Sequence, residues 1–325
     1  MFRRLFLTVS LFWASAALAV EVTDSTGRAV QVPDHIARVV PAGPPAAVLL
    51  AAIAPDLMAG WPGPVPAGAA TMLDPHLANA PRIPRLTGRD DVTDAIKALK
   101  PDLIVDYGGV TPRYFELANK TQAKTGVPTL LFNGALDQIP SVARALGAVL
   151  HREERAEALA VMAEALLALP PNTSAHPRVV YARGADGLTA AAPGTDVTEV
   201  FTRLGWTVLA PEGQGTFRPA TIDGIKALDP DFLIFSDPAM RDGLASEPAW
   251  NALRAVREGH AFVAPALPFG WVEEPPSINR LLGLGWLGGH EPVALATLFN
   301  AAVYRRALTP AQRDMVLAGT RPIQP

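Results

Sequence analysis

Residues 94–105 read DAIKALKPDLIV, and residues 223–234 read DGIKALDPDFLI. Seven of the twelve positions are identical, 129 residues apart: an Asp, then Ile-Lys-Ala-Leu, then Pro-Asp before an apolar run. In each copy an Ile and a Leu spaced by three, Ile96 with Leu99 and Ile225 with Leu228, share one helical face. Pro101 and Pro230 forbid further helix, and the apolar runs behind them read as buried strands. Asp94 and Asp223 stand at the helix starts, where a carboxylate can accept orphan N–H groups and suits the helix dipole. A helix–Pro–strand unit written twice predicts two similar α/β halves. The leading acids are either simple caps or a requirement that both halves share.

The flanks extend this pattern. TDSTGRAVQVP (23–33) reads as a small hairpin, 37–43 and 57–61 as short strands, and 45–55 as a helix closed by Pro55. Residues 62–90 are rich in Pro and Gly and read as loop. A helix near 113–125 leads to the strand 128–134. Residues 137–169 carry apolar residues at three- and four-residue spacing with Arg and Glu between them, which predicts one helix on the order of 40–50 Å long. The order then restarts: strand 177–184, helix near 195–205, strand 206–211, the second repeat copy, and strand 260–265. The last sixty residues read as mainly helical. Alternating elements with continuous apolar strands predict parallel sheets covered by helices.

Bulk properties bound the function. A chain of 325 residues, 49% hydrophobic and 18% charged, has ample material for two cores. Its net charge of −3 and the absence of any Lys/Arg run argue against a nucleic-acid partner. The start, MFRRLFLTVSLFWASAALA, has a basic pair (Arg3, Arg4), a short apolar stretch and an Ala-Leu-Ala cleavage pattern. It is expected to be a leader cut after Ala19, being shorter than the roughly 20 apolar residues of a spanning helix. With no cysteine there is no disulfide, thiolate metal site, Cys nucleophile or lipidation point. A periplasmic protein that is not a lipoprotein is expected. The six histidines (35, 76, 151, 176, 260 and 290) are scattered, so no protein-held metal is expected. There is no G-x-S-x-G, H-E-x-x-H, Walker A or G-x-G-x-x-G after the strands, so an enzyme is not expected.

TDSTGRAVQVP…ARVV, ALKPDLIV, ALDPDFLI and FGWVEEPPSINRLLGLGWL (269–287) together resemble the periplasmic substrate-binding proteins of ABC importers for ferric siderophores, haem and cobalamin. The resemblance covers essentially the whole mature chain. It implies an α/β fold of class III, with two Rossmann-like lobes joined by one long bridging helix. The boundaries are then a leader at 1–19, an N-terminal lobe at 20–136, the inter-lobe helix at 137–169, a C-terminal lobe at 170–290 and a helical segment at 291–325. It further implies that Asp94 and Asp223 dock onto Arg residues of the membrane permease. The family's usual Glu would be one methylene longer. The implied function is capture of an iron-siderophore or related metal chelate, with no intrinsic cofactor and a chelated Fe3+ ion as cargo. The implied partners are an inner-membrane permease and its ATPase, and the protein is expected to be a monomer. Cobalamin or haem binding, or a sensor or adaptor role without transport, are the alternatives.

In open α/β sheets ligands bind beyond the carboxyl ends of strands. That rule selects Trp61, Tyr107, Arg113 and Tyr114 in the first lobe, and Arg183, Phe217, Arg218 and Trp271 in the second. Aromatic rings give flat apolar contact and guanidinium pairs with chelate oxygens. Glu273 and Glu274 could line the cleft. An acid pair at a helix N-terminus, with Ser277 as cap, is the preferred reading.

Overall fold

The computed structural model describes residues 19–66, 68–86, 92–171 and 175–323. The expected leader lies outside these apart from Ala19, as do parts of the loop expected at 62–90.

The chain opens with the expected antiparallel hairpin, β1 (Ala19–Thr23) and β2 (Ala29–Pro33). The N-terminal lobe follows as β3 (Val39–Pro41), α1 (Pro44–Ile53), β4 (Trp61–Pro62), α2 (Pro75–Ala78), β5 (Arg82–Ile83), α3 (Thr93–Ala98), β6 (Leu103–Gly108), α4 (Pro112–Thr125) and β7 (Thr129–Asn133). Its main sheet is wholly parallel, in the order β3-β6-β7, and β4 pairs with β5 beside it. The helix α1 is apolar on every side, and eight of its ten residues are buried. A helix of that kind belongs between layers. It packs on β3 and β6 from one side and on the linking helices from the other.

Residues 137–169 differ from the single rod expected of them. They form α5 (Ile139–Leu150) and α6 (Glu153–Leu167), broken at His151, whose φ is +52°. The two helices fold back on one another. Arg144 reaches Glu157 at 2.7 Å and Glu164 at 2.5 Å across the pair. Gly147 permits the close approach, because a Cβ there would collide with Ala156. The lobes are thus linked by a helical hairpin.

The second lobe comprises β8 (Arg178–Arg183), β9 (Thr189–Ala191), α7 (Glu199–Arg203), β10 (Thr207–Val208), β11 (Phe217–Pro219), α8 (Ile222–Leu228), β12 (Phe232–Phe235), α9 (Met240–Ser246), α10 (Pro248–Asn251), α11 (Arg254–Arg257) and β13 (Ala261–Val263). Strands β10, β8, β12 and β13 are parallel, and β9 and β11 run antiparallel at one edge. Phe217 and Arg218 therefore sit on an antiparallel edge strand. Alternation along β8 sends Val179 and Tyr181 to one face and Val180 and Ala182 to the other, each into its own apolar cluster.

The chain ends in α12 (Arg280–Leu287), α13 (Pro292–Phe299), a π-helical turn (Asn300–Tyr304) and α14 (Pro310–Thr320). These helices touch both lobes. Asn300 donates to the Met72 carbonyl, Gln312 to Thr71 Oγ1, and the Ile323 N–H to the Ala261 carbonyl. The largest apolar cluster runs unbroken from α1 through α5 and α6 to α12 and α13, and reaches Val200 of α7 and Leu204 just after it.

The opening hairpin is fastened by one buried acid. Asp24 Oδ1 accepts from Thr26 N–H at 2.9 Å and Thr26 Oγ1 at 2.6 Å. Its Oδ2 accepts from Arg28 Nη2 at 2.6 Å and from Leu131 N–H of β7 at 3.2 Å. Burial alone would raise this carboxyl's pKa, but the hydrogen bonds from Thr26, Arg28 and Leu131 outweigh it and hold the value below the ordinary aspartate range. The resulting stability is present above the unfolded-state pKa and is lost as pH falls through the folded one. Asp24→Asn should cost about 2 kcal/mol at neutral pH, with the gap from the native chain closing on acidification. Urea melts at pH 7 and near pH 3 check this, and a gap that widened in acid would refute it.

Candidate functional site

Two adjoining cavities open at the carboxyl ends of the strands, where the lobes face each other. The larger, about 690 Å³, is lined from the first lobe by Gly43–Pro45, Arg85, Asp106–Gly109, Tyr114 and Asn133–Ala135. From the second lobe it takes Gly194–Asp196, Glu199 and Thr202, and from the terminal segment Pro276 and Arg280. The smaller, about 390 Å³, shares Pro44, Pro45, Arg85 and Pro276 and adds Trp61, Arg183, Phe269 and Glu274. Both volumes fall in the range of small-molecule sites.

The walls are built by local rules. Strands β6 and β7 end side by side, and Gly134 lies so close to Gly108 that a Cβ would meet its Cα at 2.7 Å. Asp106 ends the apolar run of β6 and lines the larger cavity, where burial pushes its carboxyl pKa up. Tyr107 is 2% exposed, and its hydroxyl has no hydrogen-bond partner among the described residues. Burial pushes its pKa up to about 12, opposed by the nearby Arg280 charge. The hydroxyl has no surface open to the cavity and lies near Arg280, so Tyr107 contributes other atoms to the wall.

Arg280 has no exposed surface and joins three parts of the chain. It pairs with Glu199 at 2.7 Å and donates to the carbonyls of Gly134, Asp196 (3.2 Å) and Ser277 (3.0 Å). Glu199 in turn accepts from the Leu136 N–H at 3.0 Å. One ion pair therefore binds the end of β7, the start of α7 and the start of α12.

A second cluster backs the smaller cavity. Glu273 is fully buried, accepts from the Tyr181 hydroxyl at 2.9 Å and forms a two-pronged pair with Arg183. Burial pushes the Glu273 carboxyl up while Arg183 and Tyr181 pull it back. The Arg183 guanidinium lies 4.0 Å from the centre of the Phe217 ring, and Glu274 is 3.4 Å away. Trp61 and Phe269 stack at 5.7 Å on the same wall. The acid pair is therefore not a helix N-terminus: α12 starts only at Arg280, and Ser277 donates to the Pro45 carbonyl.

Of the sequence candidates, Tyr107 and Tyr114 line the larger cavity, and Trp61 and Arg183 the smaller. The other four lie off both walls. Trp271 is fully buried, and its indole N–H donates to the Leu267 carbonyl. Phe217 supports Arg183 from beneath. Arg218 donates to the Pro211 carbonyl. Arg113 is exposed at the start of α4. Sequence reading missed Arg85, Asp106, Glu199 and Arg280. The signal available for two of them was a lone charge at the edge of an apolar run, in LIVDY and in NRLLGLGWL.

Asp94 and Asp223 occupy the same place in their helices, the second residue of α3 and of α8, and both are exposed. The N-cap residues are Val92 and Thr221, and Thr221 Oγ1 takes the Gly224 N–H at 3.0 Å. Among the described residues neither carboxylate accepts a backbone N–H, so neither is the cap that the sequence allowed. No group of three or more His, Asp or Glu side chains converges on a metal-binding geometry among those residues, and no helix is long and apolar enough to cross a membrane.

Two lobes around a cleft of this kind match a known family. The family model described as periplasmic binding protein fits residues 71–267. The chain belongs to that family. As a periplasmic binding protein it has the two-lobed α/β fold expected from its sequence. An ABC transporter solute binding protein from Sulfurospirillum deleyianum is similar over 92% of this chain and 99% of its own, with TM-score 0.82 and 24% identity. The molybdate periplasmic binding protein MolA of Haemophilus influenzae matches 90% of this chain and 99% of its own, at TM-score 0.70 and 17% identity. An ABC-type Fe3+-hydroxamate transport system protein from Saccharomonospora viridis matches 82% of this chain and 96% of its own, at TM-score 0.57 and 18% identity. No curated protein matches significantly by sequence. At these identities the likeness is one of fold.

Proposed function

We propose that this periplasmic binding protein captures a metal chelate, an iron-siderophore or related Fe3+ complex, and delivers it to an ABC importer. The observation that carries the reading is the pair of adjoining cavities between the lobes, in a member of this family. Stacked aromatic rings beside arginines suit a bulky ligand with an apolar rim and polar oxygens. In this reading the leader is removed at export, the protein acts as a monomer in the periplasm, and it supplies no cofactor of its own. Asp94 and Asp223, one exposed acid at a matched position in each lobe, are the docking points for the permease.

Titration calorimetry of the purified protein with ferric chelates, cobalamin and haem tests this directly. Micromolar or tighter binding of a ferric chelate, about −8 kcal/mol or more, is expected. If none of these binds and a protein partner co-purifies, the importer reading falls.

A further inference from the structure

We propose that the cleft selects a chelate of zero or positive overall charge and rejects anionic chelates and free oxyanions. This rests on the function proposed above and adds the class of cargo.

Three arginines reach the cavities, and two of them are already neutralised. Arg280 is paired with Glu199 at 2.7 Å. Arg183 lies between Glu273 and Glu274, one cation against two carboxylates. Only Arg85 has no ion pair among the described residues. Against it the larger cavity sets Asp196, and Asp106, whose ionisation burial opposes; both lack an ion pair among those residues. Each carboxylate takes one backbone N–H on Oδ1, Asp106 from Tyr107 and Asp196 from Val197. The second oxygen of each remains available to a ligand donor. A cavity wall with this balance attracts a cationic guest, admits a neutral one and repels an anion.

The backbone points the same way. Helix N-termini at strand ends are the usual anion-holding device of α/β clefts, through their free N–H groups and dipole. Here that device is largely withdrawn. Helix α1 begins with Pro44 and Pro45, which carry no N–H, and α4 begins with Pro112. In the single turn Asp196–Thr198 that leads into α7, Thr195 and Thr198 form a closed capping box. Asp196 and Glu199 place negative charge in that same turn. An incoming oxyanion would meet carboxylates where such clefts usually offer donors.

The test holds shape constant and varies charge. A linear ferric trihydroxamate is prepared with its terminal amine free, acetylated or succinylated, giving cationic, neutral and anionic forms of one scaffold. A ferric tricatecholate and molybdate serve as further anions. Calorimetry should rank the cationic and neutral forms at least about tenfold tighter than the succinylated form, with tricatecholate and molybdate weaker still. Asp196→Asn should shrink the cationic-to-anionic ratio by about threefold or more, and Asp106→Asn likewise. An anionic form binding as tightly as the cationic one, or a ratio untouched by both substitutions, overturns the proposal while leaving the importer reading intact. Failure of every chelate to bind overturns both.

Discussion

Arg280→Ala is expected to destabilise the protein by about 3–5 kcal/mol, lowering its melting temperature by on the order of 10 °C. The guanidinium has no exposed surface, and its removal leaves Glu199 without its cation and takes the guanidinium donor from the Gly134 and Asp196 carbonyls, while Ser277 keeps only the backbone N–H of residue 280. Its partners stand at Gly134, Asp196, Glu199 and Ser277, so the loss frees the end of β7, the turn into α7 and the entry to α12 together. All three border the larger cavity, so chelate affinity should fall with stability. Glu199→Gln keeps the shape and one acceptor and should cost less, about 1–2 kcal/mol. Urea unfolding monitored by circular dichroism gives both values. A loss under about 1 kcal/mol for Arg280→Ala would mean that water replaces the guanidinium, and the ion pair would then not be what holds the cavity wall.

The fold was legible where local chemistry and periodicity agree. Pro101 and Pro230 stop their helices wherever the chain is placed, and the apolar runs behind them have no option but a covered sheet. The break at His151 was not legible. The stretch from Val149 to Ala158 holds no Gly or Pro and is rich in helix formers, so periodicity reads through it. What bends the chain there is tertiary: Arg144 bridging to Glu157 and Glu164, and Gly147 packed against Ala156. The site divides in the same way. Tyr107, Tyr114, Trp61 and Arg183 follow from the rule that ligands bind beyond strand ends. Arg280 and Glu199 are 81 residues apart, and Gly134 is 146 from Arg280, so no local spacing could announce their meeting. Trp271 shows the opposite error. A large aromatic near a strand end suits a ligand wall, but it also suits the core, and burial against Trp286 decided for the core.

Reversing the two matched acids should separate delivery from capture. With Asp94→Lys and Asp223→Lys together, chelate affinity should stay within about twofold, because both positions are exposed and lie on neither cavity wall. Folding should change little, since an acid in the first turn of a short exposed helix contributes about 0.3–1 kcal/mol through the dipole. Uptake should behave differently. An exposed ion pair adds only about 0–1 kcal/mol of affinity, but setting like charges face to face costs several kcal/mol. Cells carrying the double variant should therefore lose uptake by on the order of a hundredfold, while Asp→Asn at both sites, which removes attraction without adding repulsion, should give a milder loss. Radiolabelled chelate uptake, set beside calorimetry of the same variants, reads the two effects separately. Uptake equal to that of the native chain would reduce Asp94 and Asp223 to dipole partners of their own helices. The repeat that begins with them would then record only a shared helix–Pro–strand unit.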